Sequence, residues 1–182
     1  SSPLSWLFHN STPTLLTDIS FFQTRYQNMI DVKLNRELAA FQFTNLNETK
    51  IRGAEARLTL TTFQGMLDTG CSITLLDPVN VSTNETLPYR SKTRITLSAS
   101  LHMDSWTAGW DYRYASRMER VAEIFEDDQR VPMHVMDARI SYRLNNMQWI
   151  LQCSNLRNYH YTLRQRMVEP VREFTLTMKG EL

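Results

Sequence analysis

Residues Val131–Cys153 read VPMHVMDARISYRLNNMQWILQC, and this stretch decides the fold. Val131, Met133 and Val135 alternate with polar neighbours. Ala138, Ile140, Tyr142 and Leu144 do the same, and so do Met147, Trp149 and Leu151. Successive side chains leave a strand on opposite sides, so a period of two marks strands with one buried face. Between the last two runs lies Asn145-Asn146, good hairpin chemistry because Asn tolerates positive φ. Two or three antiparallel strands closing on Cys153 are predicted.

Working outward, Thr93–Met103 alternates through Ile95, Leu97, Ala99 and Leu101, and Ala54–Phe63 through Ala56, Leu58 and Leu60. Asn28–Phe43 reads as a long strand whose apolar face slips, as at a β-bulge. Thr14–Tyr26 is weakly strand-like, Ile73–Leu76 a short strand and Val171–Met178 a last one. Turns are predicted at Thr44–Thr49 and Asp68-Thr69-Gly70, with Asp77–Arg90 the longest loop. Trp106, Trp110, Tyr114, Met118, Val121, Ala122 and Phe125 recur at intervals of three and four. That spacing predicts one inserted amphipathic helix over about 105–126, capped by Asp104 or Ser105. Seven or eight strands without a βαβ rhythm give an all-β class, an antiparallel sandwich with Greek-key-like connections. Residues 1–13 form a lead-in, and 14–182 a single domain.

The 182 residues are 42% hydrophobic and 21% charged, the balance of an ordinary globular chain. A net charge of +1 supplies no global field, and nucleic acid is not favoured as a partner. No apolar run approaches the roughly 18 residues of a spanning helix. The N-terminal SSPLSWLFHNSTP lacks the basic region and apolar core of a signal peptide, so a membrane anchor ahead of Ser1 stays open.

Cys71 and Cys153 fit no metal spacing and are either two buried thiols or one disulfide. Four glycosylation sequons, at Asn10, Asn47, Asn80 and Asn84, favour the disulfide and an oxidising compartment. They also make N-linked glycans expected partners.

Three stretches carry a resemblance. They are IDVKLNRELAAFQFTNLNETKIRGAEARLTL, STNETLPYRSKTRITLSASL, and ASRMERVAEIF followed by VPMHVMDARISYRLNNMQWILQC. Together they resemble the group-2 late-embryogenesis-abundant (water-stress and hypersensitive-response) domain of harpin-induced-like membrane proteins and some lysosomal luminal domains. Leu46 departs from the family's usual proline. The resemblance implies an immunoglobulin-like β-sandwich held outside the cytosol by a preceding membrane helix, with no catalytic residues. The expected function is therefore a non-enzymatic, glycosylated extracellular or luminal module, binding a protein partner, another copy or a lipid, without a cofactor.

Two motifs offer other chemistry. Gly65–Ile73, GMLDTGCSI, looks like the active-site loop of retroviral-type aspartic proteases, in which Asp68 would pair with a second copy across a dimer. With five glycines in the chain there is no matching flap, and Asp-Thr-Gly is also an ordinary turn. Arg157, Tyr159, His160, Tyr161, Arg164 and Arg166 interleave cations with aromatics. That pattern suits a patch for phosphates or lipid headgroups, or a solvated edge strand. His9, His102, His134 and His160 show no ligand spacing, so no metal site is expected.

Overall fold

A computed structural model describes residues 12–35, 37–38, 40–121, 131–163 and 168–180. Nine antiparallel strands follow one another: β1 (Thr14–Asn35), β2 (Ala40–Thr62), β3 (Leu67–Asn80), β4 (Glu85–Thr86), β5 (Thr93–Met103), β6 (Trp106–Ala115), β7 (Met133–Leu144), β8 (Met147–Ser154) and β9 (Glu173–Gly180). All belong to one sheet of order β1-β2-β3-β5-β6-β7-β8-β9, with the two-residue β4 pairing only β3. Each main strand lies beside the next in sequence. This is a meander, with no second sheet among the described residues.

The all-β antiparallel expectation holds, and the face-to-face sandwich does not. A sandwich would bury one side of every strand under a partner sheet about 10 Å away. Here Phe21 in β1 is 81% exposed and Leu176 in β9 is 67% exposed. Alternation says that a strand has one apolar side; it does not say what covers that side.

The inserted helix is also corrected. Trp106–Ala115 is strand β6, paired on both edges, and Ser116–Val121 is not helical; Ala122 and Phe125 lie outside the described residues. The cause lies in the pattern itself. Trp106, Trp110 and Tyr114 are four apart, which is one helical turn but also two strand repeats. Ala108 and Tyr112, in between, complete the period of two.

Two predicted turns are strand interior. Thr44–Thr49 lies within β2, where Leu46 and Thr49 are buried, and Asp68-Thr69-Gly70 lies within β3. The reversal between those strands is at Phe63–Met66, where Phe63, Gln64 and Gly65 take positive φ. The predicted long strand Asn28–Phe43 is instead a hairpin that reverses between Asn35 and Ala40, which are ladder partners. The slip of face expected after Leu34 is this reversal, and the β1–β2 register runs past Asn28 (φ 57) unshifted, without a bulge. Asn145-Asn146 turns as predicted, with Asn145 at φ 51.

The two ends of the sheet differ. Tight reversals at 63–66, 104–105 and 145–146 close one end, while the other carries the connections 81–92, 116–132 and 155–172. The most buried residues gather at this loop end: Leu46, Thr49, Pro78, Asn80, Leu87, Ser91, Ala115, Val135 and Asn155. Centrally the sheet has no core of its own, which sets it apart from a self-sufficient domain.

Candidate functional site

The registers determine which side chains share a side of the sheet. On one side Ile19 faces Ala56, Ala56 faces Ile73 and Ile73 faces Ile95. Ile95 faces Tyr114, and one pair further along Leu97 faces Tyr112. The row continues through Ile140 with Leu151, and Leu151 with Leu176. Aromatic residues edge this side. Trp106 packs on Tyr142 with centroids 4.4 Å apart near the tight turns, and Tyr114 packs on His134 at 5.0 Å near the loops.

The opposite side is mainly polar, although Leu16, Phe22, Ile51, Leu76, Val135 and Ile150 also lie on it. Asp18 faces Arg57, Glu55 faces Thr74, Ser72 faces Thr96, and Arg139 faces Gln152. Its centre is a crossed pair of ion pairs between β6 and β7. Asp111 and Asp137 are direct ladder partners, an unfavourable meeting of like charges. Arg139 Nη1 donates to Asp111 Oδ2 at 2.7 Å, and Arg113 Nη2 donates to Asp137 Oδ2 at 2.5 Å. Asp137 also accepts from the backbone N–H of Asn155 at 2.8 Å. Gly109 makes this possible, because a Cβ there would sit 2.7 Å from Arg139 Nε. The Arg139 side chain therefore lies across β6 and brings Nη2 to 3.4 Å from Ser100 Oγ on β5. Replacing Arg139 by Gln is expected to cost about 1 kcal/mol at low salt and less at high salt, read as a urea midpoint, because Asp111 would then repel Asp137 unscreened.

Sequence reading missed this cluster, although a signal was present. Asp111-Tyr-Arg113 and Asp137-Ala-Arg139 are two copies of Asp-x-Arg at same-face spacing in adjacent strands.

At the loop end, 81–92 is tied to 116–121. Arg120 pairs with Glu85, the Tyr89 N–H donates to the Arg120 carbonyl at 2.9 Å, and Lys92 Nζ lies 2.6 Å from Glu119. The hydrogen bond from Lys92 holds the Glu119 carboxyl below its ordinary 4.5, against a smaller opposing push from burial. A lowered folded value means that this tether contributes fully above 4.5 and weakens as pH falls through the lowered value. Glu119 is half-exposed, so the effect is small and local. The protection factor of the Tyr89 amide should fall below pH 4.5, while amides in β5 and β6 keep theirs.

The residues singled out in the sequence are scattered. Cys71 is exposed on β3 and Cys153 buried on β8, both as free thiols. Strands β5, β6 and β7 lie between them, roughly four spacings of about 4.8 Å, while a disulfide needs Cα atoms within about 7 Å. The expected bridge is therefore absent. Asp68 sits in β3, accepts from Thr61 Oγ1 at 2.7 Å and lies 3.3 Å from His102 Nε2, an ordinary cross-strand arrangement. Of the sequon asparagines, Asn80 is buried with Oδ1 accepting from the Ser82 N–H, Asn84 is exposed in a turn, and Asn47 lies within β2. Asn10 lies outside the described residues.

In the basic and aromatic stretch, Tyr159 meets Tyr161 at 6.4 Å and the His134 ring edge-on at 5.6 Å, and its hydroxyl donates to the Pro132 carbonyl. Burial raises the Tyr161 hydroxyl above its usual value of 10.0, and Glu169 adds to the rise. Arg157 and His160 are exposed, while Arg164 and Arg166 lie outside the described residues. Among the described residues no group of three His, Cys, Asp or Glu side chains is placed to hold a metal.

A sheet apolar on one side and charged on the other, with tight turns at one end and long loops at the other, suits a barrel wall better than a sandwich. A family model described as TonB-dependent receptor-like β-barrel matches residues 4–159. The chain belongs to that family.

Solved structures agree on the fold. The copper transporter OprC superposes with a TM-score of 0.76 at 19% identity, over 90% of this chain and 28% of that one. The ferric enterobactin receptor PfeA of Pseudomonas aeruginosa gives 0.71 at 16%, over 91% and 29%. The iron transporter FrpB of Neisseria meningitidis gives 0.67 at 16%, over 92% and 30%. The chain thus spans less than a third of the length of these three structures. No curated protein matches it by sequence.

Membership of the TonB-dependent receptor family corrects several expectations at once. It replaces the late-embryogenesis-abundant resemblance, whose quoted stretches fall on β1 and β2, on β4 and β5, and on β7 and β8, with 122–125 outside the described residues. The family belongs to the bacterial outer membrane, so the secretory or lysosomal lumen, the membrane tether and the N-linked glycans fall away. So does the luminal interaction module with its protein or lipid ligand. The chain is not an enzyme, because the receptors of this family are transporters, and Asp68 is not a protease residue.

Proposed function

We propose that these strands form an arc of the wall of an outer-membrane barrel that imports a metal ion or a metal–siderophore complex. The apolar side would meet lipid and the charged side would line the lumen. The observation that carries this reading is the segregation of side chains, kept in register across all eight strands of the meander. In a membrane barrel, alternate residues face hydrocarbon and an aqueous interior. The apolar face of β3 from Leu67 to Leu75 extends over nine residues, within the roughly 9–11 that a tilted strand needs to span a bilayer. Aromatic girdles, short periplasmic turns and longer outer loops fit the same plan. Outer-membrane transporters of this kind close about 22 strands around a lumen, so further strands would complete this arc.

The cargo class comes from the relatives: OprC is named a copper transporter, FrpB an iron transporter and PfeA a receptor for ferric enterobactin. By the family's description, import would depend on TonB. Deleting the full-length gene from its host should reduce uptake of radiolabelled copper, free iron or ferric siderophore under metal starvation, and inactivating TonB should reduce it equally. Unchanged uptake of all three would contradict the reading.

A further inference from the structure

Two like-charge rungs occur among the ladder pairs. One is Asp111 opposite Asp137, where each carboxylate has its own arginine. The other is Arg25 on β1 opposite Lys50 on β2. Directly opposed side chains place their Cβ atoms about 5 Å apart, so two cations there repel. Among the described residues, neither Arg25 nor Lys50 has an ion pair or a side-chain hydrogen bond. Arg52, two positions from Lys50 on the same side and opposite Gln23, is held by Asp77 at 2.7 Å and is about half-exposed. Glu48, two positions from Lys50 along β2, pairs with neither cation.

The rung's place in the sheet is informative. By alternation Arg25 and Lys50 share a side with Phe21 opposite Ala54 and Ala54 opposite Leu75, the nearest wholly apolar row towards the tight turns, while Met29 opposite Leu46 lies further out towards the loop end. Arg25 lies four residues beyond Phe21, about 13 Å along the strand. In the membrane reading, on which this inference rests, that is the level of the lipid headgroups. Cations just beyond an apolar band extend their heads towards phosphates while their stems stay on apolar surface.

We propose that Arg25 and Lys50, supported by Arg52, form a patch for the phosphate of an anionic membrane lipid in the leaflet on the loop side. One phosphate between the two cations would relieve the repulsion that the protein leaves unresolved on this side and resolves internally on the other.

The test uses the full-length protein purified in detergent and native mass spectrometry with phosphatidylglycerol, phosphatidylcholine and inorganic phosphate. The parent should retain phosphatidylglycerol about tenfold more readily than phosphatidylcholine, and Arg25→Gln with Lys50→Gln should abolish that preference. Arg25→Gln alone should give an intermediate preference, which keeps the test decisive if the double variant fails to assemble. No preference in the parent, or full preference in the variants, would overturn the patch. Inorganic phosphate competing as well as the lipid would overturn it too, since the site would then serve a free anion. Heat-dependent gel migration of the same samples separates the two levels: a protein that migrates as an assembled barrel yet lacks the preference refutes the patch alone, whereas one that never does so refutes the membrane reading beneath it.

Discussion

Arginine in place of Ile73 should destabilise the membrane-inserted protein by about 2–4 kcal/mol, the cost of a cation on the lipid side of a barrel strand near the bilayer midplane. Ile73 lies midway along β3, opposite Ala56 on one neighbour and Ile95 on the other, so the new charge would find no carboxylate among its ladder partners. Arginine at Thr74, the next residue, makes the control. Its side chain would leave the other side, opposite Glu55, and should change stability by under about 1 kcal/mol. Equilibrium urea unfolding from lipid vesicles gives both numbers. A soluble sandwich would show a penalty at whichever position is packed, with no dependence on bilayer depth.

The second large effect is expected at Gly53. A Cβ there would lie 2.4 Å from Phe22 Cζ and 2.7 Å from the Leu75 carbonyl oxygen. The Phe22 ring lies across the gap that the missing side chain leaves, and the Leu75 oxygen belongs to the neighbouring strand's backbone, which cannot swing away. Gly53→Ala should therefore cost about 1–3 kcal/mol through overpacking. Gly109→Ala should cost less, because its obstruction is the long Arg139 side chain, but it should weaken the Arg139–Asp111 pair. Removing Phe22 as well should recover only part of the Gly53→Ala loss, since the carbonyl contact remains. Unfolding midpoints of these three variants test this order.

The strands around Val131–Cys153 were legible because period two survives in any half-buried strand. Thr93–Met103 was read correctly for the same reason, and the Asn145-Asn146 turn because Asn tolerates the positive φ it takes there. What covers the apolar side was not legible. Leu97 and Ile140 look alike to a strand whether another sheet or hydrocarbon lies against them, and a hydropathy search for long apolar runs responds to helices only. No helix among the described residues is long and apolar enough to cross a membrane, which says nothing about strands. Trp106, Trp110 and Tyr114 misled because four residues serve both periods. Cys71 and Cys153 misled because sequons suggested a compartment, whereas only the sheet order reveals the strands between them. The charged side could have been found from its two Asp-x-Arg pairs, but recognising them requires the β6–β7 register that sets Asp111 against Asp137.

The central claim is that one side of this sheet touches lipid and the other touches water. Spin labels placed singly at successive positions 72–75 of β3 and 96–99 of β5, with Cys71 and Cys153 first changed to serine, test it in the membrane-reconstituted full-length protein. Labels at Ile73, Leu75, Leu97 and Ala99 should collide with oxygen, and those at Ser72, Thr74, Thr96 and Ser98 with a water-soluble nickel chelate, alternating residue by residue. Equal chelate access at all eight positions, or labels at 73 and 97 shielded from both reagents as in a packed protein core, would contradict the account.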